Sequence, residues 1–281
     1  CLLCGGNEGL TLLEWEEGYQ IIQCNNCGVS CPNISFSENE EVSEELDREK
    51  IQYEIYVQAI DRQYDYRKNQ FGGDRYRYII DRLGMDPKKI QLLDIGCGAG
   101  YFLSYLKERG VKSKGLDTNP NTVRYCIDRG LCVASGDLME EEDEQYDVIV
   151  LFDVLEHLLD PISIMRAAAK KLKNKGYVVI FTTNIHSVSY ELMGGMENTL
   201  VPFEHVCFYD LKSFQFLAEK SGLSVHSLDT FGLDLMDYLL MKEHDDGFPY
   251  TEKLHDMMTL VQGCLDKLKV SNHFRLTLQK L

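Results

Sequence analysis

At 281 residues, 44% hydrophobic and 26% charged, the chain has the length and composition of a globular protein with one large domain plus a small module, or two modest domains. Its longest apolar stretches, "VIVLF" and "YVVI", are strand-sized, far below the roughly 18 apolar residues of a membrane span, and no charged-then-apolar leader is present. A net charge of −16 with no Lys/Arg cluster argues against a nucleic-acid partner, whose affinity grows with the phosphates neutralised.

The first unit covers residues 1–33. Cys1, Cys4, Cys24 and Cys27 have Cys-x2-Cys…Cys-x2-Cys spacing, and Gly5 and Gly28 follow each pair. Two residues between thiolates let both reach one ion, and four close a tetrahedron with no open position, so a structural Zn2+ ribbon is expected. "EGYQIIQ" reads as a strand that hairpins the two knuckles together. Cys31 reads as a spare. The remaining cysteines are scattered, several in apolar context, which suits reduced thiols and a cytoplasmic setting. The chain starts at Cys1 rather than Met, so a longer parent protein is expected.

Residues 34–72 read as a helical linker or lid. Helix formers and apolar positions at helical spacing (Ile51, Ile55, Val57, Ile60) predict one or two helices from Glu40 to Asn69, then another from Asp74 to Leu83. The acidic runs Glu38–Glu49 and Glu140–Glu144 read as solvated surfaces. The tyrosines that stud this region read as half-buried packing residues.

From Ile90 the pattern changes. Strand-like "IQLLDIG", "SKGLDTN", "LCVASGD", "YDVIVLFDV", "YVVIFTTN", "SVHSLDTFG" and "HFRLTLQKL" alternate with helical segments, one of them "DPISIMRAAAKKLKNKG" ending at Gly176. Such alternation implies an α/β fold: a Rossmann-like, seven-stranded, mainly parallel sheet with helices on both faces. The main domain is expected over 73–281, with a helical insert at about 233–270.

"LLDIGCGAG", residues 92–100, carries the chemistry. A buried strand reaches Asp94, and Gly96, Cys97, Gly98 and Gly100 then turn the chain into a helix. Glycines permit φ > 0 and close approach of a ligand to main-chain atoms. The generic Gly-x-Gly-x-x-Gly pattern is not met, because Tyr101 takes the third Gly position. An acid two residues before the first Gly suits an amine-bearing ligand better than a pyrophosphate. Asp117, at the end of the second strand in "GLDTNP", can accept from both ribose hydroxyls. Asp137, after the third strand, can take an adenine amino group. Three acidic strand ends in this order are spaced as a nucleoside site requires.

With "LDIGCGAGYFL", "GLDTNP", "ASGDL", "YDVIVLFDVLEHLLDP" and "GYVVIFTTN" in this order, the chain resembles the class I S-adenosylmethionine-dependent methyltransferases over about 73–230 and the last strand. The resemblance implies that Asp94, Gly96, Cys97, Gly98 and Gly100 hold the methionine end of S-adenosylmethionine. It further implies that Asp117 and Thr118 hold the ribose, that Asp137 and Leu138 reach the adenine, and that Phe152 and Asp153 border the methyl region. With its front ribbon the chain is also similar to bacterial zinc-ribbon methyltransferases of the sugar, polysaccharide and natural-product type. A small-molecule or saccharide acceptor is therefore implied, methylated on O, N or C.

For a base or acceptor contact, His205 in "PFEHVCFYD" is the first candidate and His157 in "DVLEHLLDP" the second; His186 also lies near this edge. Some quinone-biosynthesis relatives hold a divalent metal at the strand end that here reads Asp153, Glu156, His157. Two alternatives stay open: an RNA base methyltransferase whose ribbon grips RNA, and a non-catalytic S-adenosylmethionine-binding interaction module.

Overall fold

The computed structural model describes residues 1–14, 19–33, 53, 57–136, 138–201 and 204–281. Most of the expected Glu40–Asn69 helix and the acidic run within it lie outside the described residues, as does Asp137. Three antiparallel strands open the chain: β1 (Gly9–Glu14), β2 (Gln20–Cys24) and β3 (Ser30–Pro32). Gly28, at φ +84°, tightens the second knuckle where a Cβ would meet the Asp210 carboxylate at 2.7 Å.

Helical backbone then runs from α1 (Tyr64–Arg67) through a π-turn (Lys68–Gly72) straight into α2 (Gly73–Leu83). The break expected between Asn69 and Asp74, where Gly72 and Gly73 stand, is absent. Tyr105 packs so closely there that a Cβ on Gly72 would stand 3.0 Å from its Cβ. The two glycines therefore give room for a neighbouring helix instead of ending their own.

The main sheet contains β4 (Gln91–Ile95), β5 (Lys112–Leu116), β6 (Val133–Ala134), β7 (Tyr146–Phe152), β8 (Leu172–Thr183), β9 (Leu223–Phe231) and β10 (His273–Lys280). Their order is β6-β5-β4-β7-β8-β10-β9, parallel throughout except for β10, which is antiparallel to both neighbours. This is the expected seven-stranded α/β sheet. β7 shows why it reads as one continuous apolar run. Val148 and Val150 pack toward α2 and α3 (Tyr101–Glu108), while Ile149 and Leu151 pack toward α5 (Pro161–Lys171) and α7 (Leu211–Ser221). All four are 0% exposed, and each such burial contributes roughly 1.5–3 kcal/mol. A strand covered on both faces has no polar side to alternate with.

α4 (Pro120–Asp128) links β5 to β6 and is capped by Asn119, whose Oδ1 accepts from the Asn121 and Thr122 amides. α5 stops at Lys171 rather than at Gly176. Leu172 is buried opposite Tyr146, and Lys173 pairs with Asp147 at 2.7 Å, so the chain is already extended there. A short helix that the sequence reading did not anticipate, α6 (Val188–Met193), follows β8. The insert near 233–270 is helical as expected: α8 (Asp234–Asp246), α9 (Tyr250–Lys253) and α10 (His255–Leu268). No described helix is long and apolar enough to cross a membrane.

The ribbon packs against the sheet domain. Leu3, Cys24, Cys27 and Val29 share one apolar cluster with Leu155, Val206, Cys207 and Tyr209. Ser30 and Phe208 exchange both backbone hydrogen bonds at 2.8 Å, and Lys212 Nζ donates to the Asn25 carbonyl. The N-terminal unit thereby braces the segment that carries His205.

Candidate active site

β5 lies on one side of β4 and β7 on the other, so strand order reverses between β4 and β7. In open α/β sheets the crevice at the carboxyl ends beside such a reversal accepts the ligand. Asp94 is the penultimate residue of β4 there and is 3% exposed. Burial pushes its carboxyl up to about 7, against the pull of the nearby Arg75 charge. Gly96, Gly98 and Gly100 all have positive φ, at +67°, +52° and +72°. A Cβ on Gly98 would meet nothing within 4 Å, whereas one on Gly96 would strike Val154 at 2.5 Å and one on Gly100 would strike Leu131 at 2.5 Å. Gly98 thus presents bare backbone to open space, and its neighbours are glycines for packing as well as for φ.

Asp117 organises this turn. Its Oδ2 accepts from the Gly98 amide at 2.8 Å and its Oδ1 from the Asn119 amide at 2.9 Å. An ionised carboxylate has about four acceptor positions, so capacity remains for a ligand's hydroxyls. Thr118 is exposed beside it, and Leu138 is buried at the start of a short 3-10 turn. Cys97 is buried against Gly115, close enough that a Cβ on that glycine would clash with its sulfur at 2.7 Å. Its thiol is pushed well above the ordinary value, chiefly by its hydrogen bond with Cys126 and by burial, which makes it a packing group rather than a nucleophile.

Phe152 forms a floor: it is 6% exposed and packs against Phe102 and Phe181. Above it lies Arg75 from α2, its guanidinium 4.5 Å from the Phe152 ring centroid and 2.9 Å from Asp153 Oδ2. Asp153 itself holds φ +57° and is about half exposed. The sequence reading missed Arg75. It is one of several arginines on a helix, and its partner stands 78 positions away, so no local spacing marks it.

Beyond β7, His157 and His205 meet edge to face with centroids 4.7 Å apart. His157 Nδ1 lies 2.9 Å from the Glu204 carbonyl and His205 Nδ1 lies 2.6 Å from the Thr199 carbonyl. A carbonyl oxygen can only accept, so each Nδ1 carries a proton, and a ring in its neutral form then has its lone pair on Nε2. Burial holds His205 below the ordinary histidine value, and the neighbouring His157 adds to that. Glu156 lies beneath, 1% exposed, accepting from Thr182 Oγ1 at 2.9 Å, with its carboxyl pushed by burial up to about 8. His186 is exposed, its amide donating to Asn184.

Two groups among the described residues could hold a metal ion: Cys1–Cys4–Cys24–Cys27, and Glu156–His157–His205, the ligand atoms within 4.8 Å of one another in each. The cysteine sulfurs stand 3.5 Å (Cys1–Cys27), 3.6 Å (Cys1–Cys4) and 3.5 Å (Cys4–Cys24) apart. Tetrahedral Zn–S bonds of about 2.3 Å put thiolates about 3.8 Å apart, so the set needs little adjustment.

Comparison with known proteins adds an independent finding. A sequence family described as a methyltransferase domain matches residues 66–228. A ubiquinone biosynthesis O-methyltransferase from Pseudomonas savastanoi pv. phaseolicola is 32% identical over 125 residues, covering 41% of this chain and 53% of that protein. The chain thus spans about half the length of the curated relatives it matches. Among solved structures, a SAM-dependent methyltransferase from Archaeoglobus fulgidus aligns with a TM-score of 0.50 at 21% identity, covering 74% of this chain and 94% of that one. Phosphoethanolamine N-methyltransferase 2 of Haemonchus contortus, in complex with S-adenosyl-L-methionine, also aligns at 0.50 with 18% identity, over 74% and 52%.

Proposed function

Since the chain belongs to the methyltransferase-domain family, we propose that it is an S-adenosylmethionine-dependent methyltransferase and that it methylates a hydroxyl of a small-molecule or saccharide acceptor delivered to the His157–His205 pair. The observation that carries this reading is the pair of imidazoles whose Nδ1 atoms are both committed to carbonyls. Each offers an Nε2 lone pair to an acceptor proton. A neutral hydroxyl must lose its proton as the methyl arrives, whereas a neutral amine can lose it afterwards to water. A base poised below the ordinary histidine value therefore favours oxygen. The Pseudomonas relative, named an O-methyltransferase, supports the same choice.

The residues of the crevice fit S-adenosylmethionine. Asp94, buried with the Arg75 charge nearby but not in an ion pair with it, suits the amino group of the methionine moiety. Arg75 suits its carboxylate, with Asp153 holding the guanidinium in place meanwhile. The bare Gly98 backbone and Asp117 suit the ribose side. Asp137 remains our candidate for the adenine amino group, with Leu138 against the ring. Bound there, the cofactor supplies a methyl group already activated on sulfonium. The protein's contribution is then to align the acceptor, exclude water and receive a proton. Phe152 and the aromatic residues behind it provide a dry floor. The four cysteines hold a structural Zn2+, which keeps the ribbon against the segment that bears His205.

A second reading has its own observation: the ligand atoms of Glu156, His157 and His205 converge closely enough to hold a divalent cation. The decisive experiment is methyl transfer from labelled S-adenosylmethionine to a panel of hydroxylated acceptors, run with metal-stripped enzyme. Transfer that survives chelation and is lost in His205→Ala supports the base; transfer restored only by added Mg2+ or Zn2+ favours the cation. Methylation of amines alone overturns the oxygen assignment.

A further inference from the structure

β3 does more than end the ribbon. Ser30 donates to the Phe208 carbonyl and Phe208 to the Ser30 carbonyl, both at 2.8 Å, so these two form a hydrogen-bonded antiparallel pair. One step along each segment are Cys31 and Cys207, which continued antiparallel pairing would set opposite each other at a non-hydrogen-bonded position. There opposing Cα atoms approach to about 4.5 Å, inside the window of about 4.4–6.8 Å that a disulfide spans. The two sulfurs lie 3.9 Å apart as free thiols. Cys31 is partly exposed and lines an open cleft of about 370 Å³ together with Asn7, Gly9 and the knuckle residues Cys1 and Cys24. Cys207 is fully buried behind it.

We propose that Cys31 and Cys207 are a thiol modification site that closes to a disulfide on reaction with a low-molecular-weight disulfide. Access sets the order. The Cys31 thiolate attacks one sulfur of R–S–S–R, forming Cys31–S–S–R and expelling RS⁻. The Cys207 thiolate then attacks Cys31 Sγ, forming the Cys31–Cys207 bond and expelling a second RS⁻. The two protein thiols give up two protons and two electrons, and the small disulfide takes up both electrons as two thiolates.

The closed bond ties β3 to the segment whose Val206 and Cys207 amides donate to the Glu156 carbonyl at 2.8 and 3.1 Å. Oxidation thus makes covalent a junction that is otherwise two hydrogen bonds and apolar contact, next to the imidazole pair. The modification does not depend on which acceptor is methylated.

The test exposes the full chain to oxidised glutathione, followed by non-reducing peptide mapping and thiol titration. The expected result is one cross-linked peptide pair joining Cys31 to Cys207, a loss of two more titratable thiols than the double variant Cys31→Ser/Cys207→Ser loses through the exposed Cys132 and Cys264, and full reversal by reduced glutathione. Cys31→Ser abolishes the cross-link, and Cys207→Ser stops at a Cys31–glutathione mixed disulfide. The proposal is overturned if Cys31 of the unmutated chain stays unmodified, ends as a stable mixed disulfide, or pairs with a knuckle cysteine. Should Cys207→Ser fail to fold, the unmutated chain and Cys31→Ser still decide between these outcomes.

Discussion

His157 and His205, 48 positions apart in sequence, present their imidazoles edge to face at 4.7 Å with both Nδ1 atoms held by backbone carbonyls. One ring comes from the turn after β7, the other from the segment on which the ribbon rests. Both carbonyls are main-chain groups, so each fixes which nitrogen of its neutral ring carries the proton.

Replacing His205 by Ala is expected to lower kcat by about 10²–10⁴-fold, the usual contribution of a positioned base, while S-adenosylmethionine affinity by calorimetry stays within about twofold. His157→Ala should cost less. Burial holds His205 below the ordinary histidine value, so the neutral, proton-accepting form persists to lower pH. The acid limb of the kcat profile should therefore fall below about 6.5. A limb above that value would show that another group governs it.

Asp94 offers a prediction in which stability and binding move in opposite directions. Its folded value of about 7 exceeds the unfolded value of about 3.9. Between those two the native state binds more protons than the unfolded one. The cofactor-free protein should therefore lose stability as pH rises from about 4 to about 7, and level off above. Asp94→Asn removes this cost, so denaturant unfolding at pH 8 should show a gain, bounded near 4 kcal/mol, alongside weaker S-adenosylmethionine binding. A variant that is destabilised at pH 8 would contradict the burial argument.

Gly98 and Gly96 should separate two roles of glycine. Gly98→Ala meets no neighbour within 4 Å and carries only the strain of φ +52°, about 1 kcal/mol, yet it places a methyl group where ligand backbone contact is expected. Its cofactor Kd should rise at least tenfold with a modest change in Tm. Gly96→Ala collides with Val154 at 2.5 Å, so its main loss should be in Tm. Equal Tm losses in the two variants would refute the distinction.

Removal of zinc is expected to act at a distance. The protein should carry one zinc per chain by elemental analysis. Chelation should lower Tm and kcat more than it changes cofactor affinity, because the ribbon braces the 204–209 segment through Ser30 and Phe208. Cofactor affinity that collapses with zinc loss would place the ribbon elsewhere in the mechanism.

Arg75→Ala should weaken S-adenosylmethionine binding by about tenfold or more, since a carboxylate partner and the cation stacked over Phe152 are lost together. Arg75→Lys should recover only part, because a point charge cannot keep the planar stacking. Retained affinity in Arg75→Ala would remove this residue from the site.

Much of this protein is legible one segment at a time. The buried β4 run ending at Asp94, the glycines after it, Asp117 at the next strand end and the paired Cys-x2-Cys knuckles are all local patterns. Each is imposed by what a turn, a strand covered on both faces or a converging set of four cysteines requires of residues close in sequence. The α/β alternation and the sheet's seven strands follow from the same local signals.

Relationships across distance were settled only by tertiary structure. Arg75 reaches Asp153 from a helix whose pattern reads simply as packing. Cys31, which spacing marks as a spare, gains Cys207 as a neighbour 176 positions on. Gly72 and Gly73, apparent breakers, continue a helix because Tyr105 needs the space. Sequence periodicity reports which face of an element is buried, but not which element buries it. Side-chain pairs brought together by sheet order, and the tautomers and displaced pKa values that burial imposes on them, exist only once the chain has closed on itself.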